Sequence, residues 1–528
     1  MLTIFYKLLE EGAYTKMFLN HQFADLFDKE TFIKIEIICL LKESKTWLSI
    51  DELSSQLEIN QRTMLKYLTF IEEDIDSFAS KKEIALKNHN KKGYFLYYDF
   101  EPALEDLIFR MIERTINYQL IMKIFFSKMP SIIQFPHQYY VSESSLWRMI
   151  NKFRKKLVPR GISIERRSLE LIGNEIHIRN LSLSLLLSSY SRGSWHYGST
   201  TKLVTEKIID YVINFFHLCL SDFEYKKLFC MIAVCIERAK KEKHVHLTRE
   251  LWENIEKNEL FDRFFDELRD VLPKELHRQD EIGFLFLYVF TIDEVLNNTY
   301  IRKEFIEFHY ERNTQLFQSV EAFKNLWLDQ QKFFISKDDL KTVEKSLYST
   351  HLYCQLFQNK ESSDCYSQDS YLHNNETISP HLKERARELI ALLQKKTNFP
   401  LFRETDYLLS IYPLLFETIT PIQKVEEPLQ IFLATDLTNL EEQHLIKMIK
   451  NEYLGRFKME IYTHHDCLRK RNSLDLLLST RKTILVDQPT IPNIVIPRKP
   501  TKLDFYTLDT KLNELFTVKN QQKRLVSF

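Results

Sequence analysis

Two short runs of polar and cationic side chains stand at the start of amphipathic stretches in the first third of the chain. The first run is Asn60-Gln61-Arg62-Thr63, followed by Lys66. The second run is Ser142-Glu143-Ser144-Ser145, followed by Arg148. Amide and guanidinium groups match the hydrogen-bonding pattern of base edges, and hydroxyl groups and cations bind phosphate oxygens. The chemistry available at both runs is therefore recognition of a double-stranded nucleic acid.

The residues around the first run follow the order of a helix-turn-helix. Apolar residues at helical spacing after Lys29 predict a first helix, and Ser49 with Glu52 forms a capping box that begins a short second helix. Asn60 is expected to cap a longer third helix that carries the polar run on its outer face. A major groove roughly 12 Å wide admits one such helix. The inner face of the third helix is predicted to consist of Leu65, Leu68, Ile71 and Ile75.

A β-hairpin is predicted directly after this third helix. Alternating apolar residues lie before and after the polar segment Asn88–Gly93, which has the composition of a hairpin tip. Lys91 and Lys92 make the tip basic, so we expect it to contact the nucleic-acid backbone beside the groove. Three helices and a hairpin predict a winged helix-turn-helix over residues 29–100.

The same order of elements recurs over residues 101–179. A long helix is predicted through Leu107–Ile116, and a short element near Ser131–Tyr140 contains Pro136, which is expected to break or end a helix. Ser142 is expected to cap the helix that follows. The outer face of that helix is predicted to carry Arg148, Lys152 and Lys155, and the inner face Leu146, Met149, Ile150, Phe153 and Leu157.

A second hairpin is predicted to close this second segment. Apolar residues at Ile162–Ile164 and Leu169–Leu171 surround the turn Glu165–Ser168, in which Arg166 and Arg167 are cationic. A single polar helix face is most often only a solvated surface. The prediction of DNA binding therefore depends on the duplication of the caps, the hairpins and their order.

Composition excludes the common phosphate-cradling folds. The chain has 528 residues with 73 Lys+Arg, 73 Asp+Glu and only 8 glycines. These glycines form neither GxGxxG nor GxxxxGK, so a P-loop and a dinucleotide-binding Rossmann site are excluded. Because the formal net charge is zero, any basic surface must be local.

The cysteines and the apolar runs indicate a cytoplasmic protein. The seven cysteines are scattered without a CxxC pair, which is typical of a reducing cytosol. The longest apolar runs, Leu181–Leu187 and Ile282–Ile292, are shorter than the roughly 20 residues that span a bilayer. His244 and His246 could offer two imidazoles to a metal, but no companion ligand stands at a suitable spacing. Neither a metal nor a cofactor is predicted.

Helical patterns continue over residues 180–420, and they contain no catalytic constellation, so the chain is not expected to be an enzyme. The polar stretch Asn359–Ile378 is predicted to be a loop. The helices predicted there include Thr201–His217, Asp222–Lys243, Leu251–Leu272, Glu281–Asn297, Lys337–Gln358 and Pro380–Lys396.

The pattern changes after Glu426-Glu427-Pro428. Short apolar runs alternate with polar, helix-like stretches at Asn439–Lys450 and His465–Arg471, which predicts a small, mostly parallel α/β domain. The predicted strands are Leu429–Ala434, Met459–Tyr462, Leu474–Leu478 and Ile484–Val486.

This order resembles the Mga/AtxA-type transcription regulators over nearly the whole chain. The most specific local matches are Val141–Leu146 with Ile172–Glu175, then Asp280–Phe284, and Met231–Arg238. The resemblance implies a mostly α, multidomain protein with two winged helix-turn-helix domains, two helical phosphotransferase-system regulation domains (PRDs) and an α/β domain like enzyme IIB. The implied boundaries are an N-terminal segment at 1–28, winged helices at 29–100 and 101–179, regulation domains at 180–297 and 298–420, and the enzyme-IIB-like domain at 426–528.

The resemblance also suggests where phosphate could be accepted. Met231 and Tyr288 occupy places where the first regulation domain usually has histidine, and neither carries an imidazole. In the second regulation domain, His351 stands at the histidine place. The candidate phosphohistidines are therefore His351 first, followed by His217 and His196.

Three further departures from the family pattern bear on function. Enzyme IIB proteins transfer phosphate through a cysteine just after the first strand, but Thr435–Thr438 stands there and Cys467 lies one element later. The C-terminal domain is therefore interpreted as structural or dimerising. Glu58 and Tyr140 stand where a small turn residue is usual in a helix-turn-helix.

The predicted function is a transcription regulator, expected to be an activator, that binds double-stranded promoter DNA as a homodimer. The resemblance adds phosphotransferase-system phosphocarrier proteins and RNA polymerase as partners. Two alternatives remain open at the level of sequence: a phosphocarrier component of the phosphotransferase system, and an RNA-binding antiterminator. The antiterminators begin with a small β module, whereas this N-terminus is predicted to be helical.

Overall fold

The structure is a computed structural model, and it describes most of the chain. The predicted loop Asn359–Ile378, helix His465–Arg471 and strand Ile484–Val486 lie outside the described residues, as do residues 1–27, Cys365 and Cys467. The described ranges are 28–44, 46–78, 83–130, 132–190, 193, 195–329, 337–358, 380–419, 428–454, 456–464, 474–481 and 491–526.

Residues 29–100, called here the first HTH segment, contain three helices and a hairpin. The capping box predicted at Ser49 and Glu52 is confirmed, since the Ser49 hydroxyl accepts from the Glu52 amide and the Glu52 carboxylate accepts from the Ser49 amide. The hairpin strands pair antiparallel from Ile84 opposite Tyr98 to His89 opposite Gly93. The elements are α1 (Lys29–Ser44), α2 (Ile50–Leu57), α3 (Gln61–Phe78), β1 (Ile84–His89) and β2 (Gly93–Tyr98).

Residues 101–179, called here the second HTH segment, follow the same order with one additional helix, because two helices take the place of the first one. The helix before its hairpin is called the third helix below, to match the first segment. The single long helix predicted through Leu107–Ile116 is wrong, because Thr115 is extended and caps a new helix with a 3.2 Å bond from the Tyr118 amide. The elements are α4 (Glu101–Glu113), α5 (Ile116–Phe125), α6 (Gln134–Tyr139), α7 (Glu143–Leu157), β3 (Ile162–Ile164) and β4 (Leu171–Gly173).

Two smaller corrections apply to the second HTH segment. Pro136 does not break the short helix α6, because it lies in the first turn, where the backbone N–H has no intrahelical acceptor. Leu169 lies in the turn with a φ of 57° instead of in a strand, and β4 begins at Leu171.

The middle of the chain is helical, as predicted, with two divisions that the periodicity did not indicate. The stretch Leu251–Leu272 contains two helices, because Asn258 caps the second with bonds from the amides of Leu260 and Phe261. The stretch Glu281–Asn297 ends its α-helix at Val289 and continues as a 3₁₀ turn. The helices are α8 (Glu175–Tyr190), α9 (Ser199–Phe216), α10 (Asp222–Ala239), α11 (Arg249–Trp252), α12 (Glu259–Arg269), α13 (Gln279–Val289), α14 (Thr299–Glu311), α15 (Gln315–Asp329), α16 (Lys337–Phe357), α17 (Pro380–Thr397) and α18 (Thr405–Ile419).

The C-terminal part forms a small parallel sheet, as predicted. Its strand order is β6-β5-β7-β8, and the described pairs are all parallel. Ile431, Leu433 and Leu478 lie in its apolar core, together with residues of the helix after β5 and of the helix after β8. The elements are β5 (Leu429–Ala434), α19 (Asn439–Glu452), β6 (Met459–Tyr462), β7 (Leu476–Ser479), β8 (Asn493–Val495) and α20 (Lys502–Val526).

The chain divides into two compact units. One comprises Met1–Asn374 with Ala391–Leu408, and the other comprises Asn375–Ile390 with Leu409–Phe528. Among the helices that the structure describes, none combines the length and apolar character needed to cross a bilayer. Both HTH segments lie within the first unit.

Candidate nucleic-acid interface

The turn before the third helix has the same backbone geometry in both HTH segments. Glu58 has φ 54° and ψ 38°, and Tyr140 has φ 52° and ψ 41°, so both residues are left-handed. The next amide donates to a carbonyl five residues earlier, from Ile59 to Ser54 at 3.0 Å and from Val141 to Pro136 at 3.1 Å. This is the Schellman arrangement that ends a helix. The two turns are structural copies although their sequences differ.

The third helix of each segment is capped as the sequence predicts. The Asn60 side-chain oxygen accepts from the Thr63 amide at 2.9 Å, and the Ser142 hydroxyl accepts from the Ser145 amide at 3.1 Å. Each cap satisfies one amide that has no partner within the helix. The caps therefore fix where each helix begins relative to its turn.

The buried faces of α3 and α7 have identical spacing. One prediction is corrected: Leu65 is 43% exposed, and Met64 occupies the inner position instead. Met149 is half-buried. Each buried residue of α7 lies the same number of positions after its counterpart in α3. The outward-facing residues of the two helices therefore also correspond, and Lys66 corresponds to Arg148. The buried sets are Met64, Leu68, Ile71 and Ile75 in α3, and Leu146, Ile150, Phe153 and Leu157 in α7.

The outer face of α3 carries its polar residues toward solvent. Asn60, Gln61, Arg62 and Lys66 are exposed, and Thr63 is half-buried. The Gln61 amide donates to a carboxylate oxygen of Asp51 in α2. The Lys66 ammonium lies 5.1 Å from the centre of the Phe70 ring. The guanidinium of Arg62 is thus directed outward at the start of the helix.

The outer face of α7 is more strongly cationic. Arg148, Lys152 and Lys155 are exposed, with Ser142 and Ser144 at the helix start and Ser145 half-buried beside them. The Ser142 hydroxyl lies 2.9 Å from the Ser144 hydroxyl, and the Arg148 guanidinium donates to the Ser145 hydroxyl at 3.3 Å. These groups form one continuous surface of hydroxyl and cationic donors, which is the chemistry that binds phosphate.

The two third helices differ in charge. Helix α3 contains Arg62 and Lys66 but four carboxylates, which lie in its second half. Helix α7 contains five cations and the single carboxylate Glu143. A nucleic-acid backbone is therefore attracted to α7, and it is repelled by the carboxylates in the second half of α3.

The hairpins place further cations beside both helices. Lys91 and Lys92 are exposed at the tip of the first hairpin, and Arg166 and Arg167 are exposed at the tip of the second. The second hairpin is tied to α7 by a 3.1 Å bond from the Arg154 guanidinium to the Ile164 carbonyl.

Gly93 begins β2 beside the tip of the first hairpin, and Gly173 ends β4 at the base of the second hairpin. Their φ angles are +90° and +128°. A Cβ would lie 2.0 Å from the Leu48 carbonyl oxygen at Gly93 and 2.1 Å from the Gly161 carbonyl oxygen at Gly173. Both positions require glycine.

The three candidate phosphohistidines differ in accessibility. His351 is fully buried, its Nδ1 lies 2.8 Å from the Ser319 hydroxyl, and burial lowers its pKa to about 3. His196 is half-buried and stacks on Phe126 at 4.7 Å, and burial lowers its pKa to about 4. His217 is exposed at the left-handed C-cap of α9. A phosphate donor must reach the ring, and of the three histidines His217 is the most accessible and His351 the least.

Sequence reasoning missed a buried ionic network that joins the second HTH segment to the helices after it. Arg179 is fully buried and donates to both oxygens of Glu281 at 2.6 and 2.8 Å. Glu175 accepts from Arg179 at 3.1 Å and from Arg238 at 2.6 and 2.8 Å. Glu175 and Arg179 are four residues apart on one helix, but Glu281 and Arg238 are far from both in the chain, so no local spacing indicates the network.

The two histidines considered as metal ligands belong to the edge of this network. His244 Nδ1 lies 3.2 Å from Glu281, and His246 Nδ1 lies 3.5 Å from Asp280. In the described ranges, no group of three His, Cys, Asp or Glu side chains is arranged to hold a metal ion.

Comparisons with known proteins agree with this geometry. A family model described as the Mga helix-turn-helix domain matches residues 102–186, which include the whole of α7 and the second hairpin. Capsule synthesis positive regulator AcpB of Bacillus anthracis is 20% identical over 368 residues, which cover 67% of this chain and 73% of the relative. The anthrax toxin expression trans-acting positive regulator of the same organism is 20% identical over 497 residues, covering 91% and 98%.

A third relative matches over a shorter stretch. Capsule synthesis positive regulator AcpA of Bacillus anthracis is 22% identical over 185 residues, or 35% of this chain and 37% of the relative. The family match lies on the segment whose third helix is the more cationic, and these three relatives are named as positive regulators. These findings support a Mga/AtxA-like family of transcription regulators for this chain, and residues 102–186 match the helix-turn-helix domain of that family.

Proposed function

We propose that this protein binds double-stranded promoter DNA through both HTH segments and activates transcription. The observation that carries the proposal is the duplicated turn, cap and buried spacing that direct the outer faces of α3 and α7 to solvent. In this arrangement α7 supplies most of the phosphate contacts through Arg148, Lys152 and Lys155. Helix α3 inserts Gln61 and Arg62, whose side chains suit adenine and guanine edges.

The same proposal includes a homodimer and contact with RNA polymerase. A two-fold protein matches paired half-sites, and two linked HTH modules gain avidity over either module alone. Avidity is needed here because the cations lie in small local groups on a chain with no net charge. Activation is supported by the names of the three relatives, which describe positive regulators.

Titration across a salt series tests the nucleic-acid target. The full chain is titrated by fluorescence anisotropy with a promoter-length DNA duplex and with single-stranded RNA of the same length. We expect tighter binding to the duplex, with a logarithmic salt slope of about −0.9 for each phosphate contact. Equal or tighter binding to the RNA favours the antiterminator alternative and contradicts the proposal.

The C-terminal domain supports regulation over phosphate transfer. The loop after β5, where enzyme IIB proteins carry their cysteine, holds Asp436 in ion pairs with Arg481 at 2.7 Å and with Arg498. The Thr480 hydroxyl also donates to Asp436 at 3.0 Å. An acidic side chain held by two arginines offers no nucleophile for a phosphocysteine mechanism. We therefore assign this domain no transfer step.

Phosphotransferase-system control forms the second part of the proposal. A phosphate on an imidazole adds negative charge, which can disrupt or order a helix terminus. We propose His217 as the acceptor because its ring is exposed, whereas His351 and His196 must first leave their packed environments.

Labelling with the general phosphocarrier proteins and phosphoenolpyruvate tests this second part. We expect label on the wild-type chain and on His351→Ala, and loss of label on His217→Ala. No label on the wild type contradicts the regulatory part and leaves the DNA titration as an independent test. Onward transfer of label to a sugar would instead favour the phosphocarrier alternative.

A further inference from the structure

A basic cleft lies beside strand β4 of the second hairpin. Its volume is about 970 Å³, within the range of small-molecule sites. Strand β4 and Glu175 form one wall, the loop after α10 forms another, and the 3₁₀ turn with Arg278 before α13 forms the third. All of these residues belong to one compact unit.

The cations that line the cleft differ in how closely they are paired with carboxylates. Five cations face three carboxylates, although the whole chain is neutral. Arg238 is paired with Glu175, and Lys240 is paired with Glu237 at 2.7 Å. Lys243 forms a longer ion pair, with Glu170 at 3.6 Å.

Lys274 and Arg278 complete the set of cations. Both side chains are exposed, and neither forms an ion pair with another residue of the described ranges. Cations gathered at one cleft repel one another unless an anion binds among them.

The buried network beneath the cleft holds these cations in place. The Arg179 guanidinium donates to the Lys243 carbonyl at 3.0 Å, and the Val245 amide donates to Glu281 at 3.0 Å. Glu281 stands in the first turn of α13, three residues after Arg278, and it is fully buried. The loop that carries Lys243 and the start of α13 are therefore fixed to one buried ion pair, which makes the cleft preorganised.

We propose that this cleft binds a small organic phosphate, with Lys243, Lys274 and Arg278 as the phosphate-binding residues. A bidentate guanidinium and two ammonium groups are the donors that phosphate oxygens prefer. The polar character of the other walls suits a sugar or a nucleoside as the attached group. A ligand in this position contacts both the second hairpin at Ile172, which is 41% exposed, and the helices after it. Binding is thus placed to couple a metabolite to the DNA-binding segment.

Isothermal titration calorimetry of the full chain tests this site. The probes are inorganic pyrophosphate, glucose 6-phosphate and ATP at moderate salt. The test variant is Lys274→Ala/Arg278→Ala. The matched control is Lys207→Ala/Arg269→Ala, which removes the same charge from exposed helix positions outside the cleft.

We expect saturable binding of at least one probe at one site per chain. The test variant should weaken it roughly tenfold or more, because each charge-assisted bond contributes more than a neutral one. The control and the charge-preserving Lys274→Arg/Arg278→Lys variant should retain most of the affinity.

Three results would overturn the proposal. The first is the absence of saturable binding by all three probes, and the second is an equal loss in the test and control variants. The third is loss of duplex affinity in the test variant without any phosphate binding, which would assign the cleft to the DNA backbone. DNA binding by the wild type is measured separately, so failure here leaves the proposed function untouched.

Discussion

The two HTH segments share a scaffold and differ in charge. Their turns have nearly the same dihedral angles at Glu58 and Tyr140, and their third helices bury residues at the same spacing. Yet α3 has two cations and four carboxylates, whereas α7 has five cations and one carboxylate. The two segments therefore share their backbone geometry and differ in the charge of the third helix. We infer that the second segment binds the DNA backbone most strongly and that the first contributes base-edge contacts.

The hairpins differ in the opposite direction. The first hairpin has strands of six residues, and the second has strands of three. The first hairpin nevertheless contacts the body of its segment beside the tip, since Leu48 and Tyr94 exchange backbone hydrogen bonds at 2.7 and 2.9 Å, so Lys91 and Lys92 lie close to that contact. The weakly basic helix therefore has the longer hairpin, and the strongly basic helix has the shorter one.

The largest expected effect comes from removing the cations of α7. The triple variant Arg148→Ala/Lys152→Ala/Lys155→Ala should weaken duplex binding about 100-fold to 1,000-fold at moderate salt and reduce the salt slope by about three. In α3, Arg62→Ala/Lys66→Ala should cost roughly tenfold, since fewer phosphate contacts are lost. Anisotropy titrations over a salt series measure both quantities.

Exposed cations elsewhere provide the control for this comparison. Lys207→Ala/Arg269→Ala should leave the duplex affinity within about twofold, because neither residue belongs to an HTH segment. A greater loss in the α3 variant than in the α7 variant would reverse the assignment of roles. Unchanged affinity in both variants would show that neither outer face binds DNA.

The next effect concerns the glycines that anchor the hairpins. Gly93→Ala and Gly173→Ala should each destabilise the local structure by about 2–3 kcal/mol, because the added Cβ overlaps a backbone carbonyl at a positive φ. Hydrogen–deuterium exchange should show faster exchange in β1–β2 or in β3–β4, according to the variant.

Gly161→Ala is the matched control for steric overlap. Gly161 has a φ of +64°, but a Cβ there meets no atom within 4 Å. We expect a loss of only about 1 kcal/mol from backbone strain. If all three variants show the same amide exchange rates, the positive φ alone accounts for the loss of stability. The close contacts of Gly93 and Gly173 with backbone carbonyls would then add nothing to it.

The sequence predicted the scaffold well because its signals are local. The caps at Ser49, Asn60 and Ser142 depend on neighbours within three residues, and each is present in the structure. The alternation of strands and helices after residue 428 likewise predicted the parallel sheet. Errors arose where one residue decides the outcome, as at Thr115, which divides a continuous apolar pattern into two helices.

The interface and its surroundings were less predictable. Leu65 and Met64 are both apolar neighbours, so sequence alone could not tell which one faces the core. The burial of His351 comes from aromatic side chains such as Phe323 and Phe402, which approach from different parts of the chain. The pair Arg179–Glu281 joins residues 102 positions apart. Tertiary packing decides all three, and spacing within one helix cannot report it.

A smaller effect is expected at the hairpin tips. Lys91→Ala/Lys92→Ala should weaken duplex binding roughly tenfold and Arg166→Ala/Arg167→Ala roughly threefold, because the backbone pair of Leu48 with Tyr94 orders the first tip, whereas Arg166 and Arg167 lie in a longer turn that loses more freedom on binding. Anisotropy at fixed salt separates the two. Equal losses would indicate that the Leu48–Tyr94 pair does not determine contact. A larger loss at Arg166 and Arg167 would place the shorter hairpin closer to DNA.

The smallest effect concerns the turns themselves. Glu58→Gly and Tyr140→Gly should each stabilise the protein by about 0.5–1 kcal/mol, because glycine adopts the left-handed conformation without strain. Part of this gain is lost because glycine gives the unfolded chain more conformational entropy. Tyr140 is 97% exposed, so its side chain contributes little packing that could be lost. Thermal unfolding monitored by circular dichroism, with exchange rates of α3 and α7 amides, measures the gain. Glu58→Ala and Tyr140→Ala keep a Cβ and should show no gain. The two turns have nearly the same dihedral angles, so the gain in stability should be similar at both. A gain at only one turn would mean that the side chains around the turns pack differently. The two segments would then be equivalent in backbone geometry but not in packing.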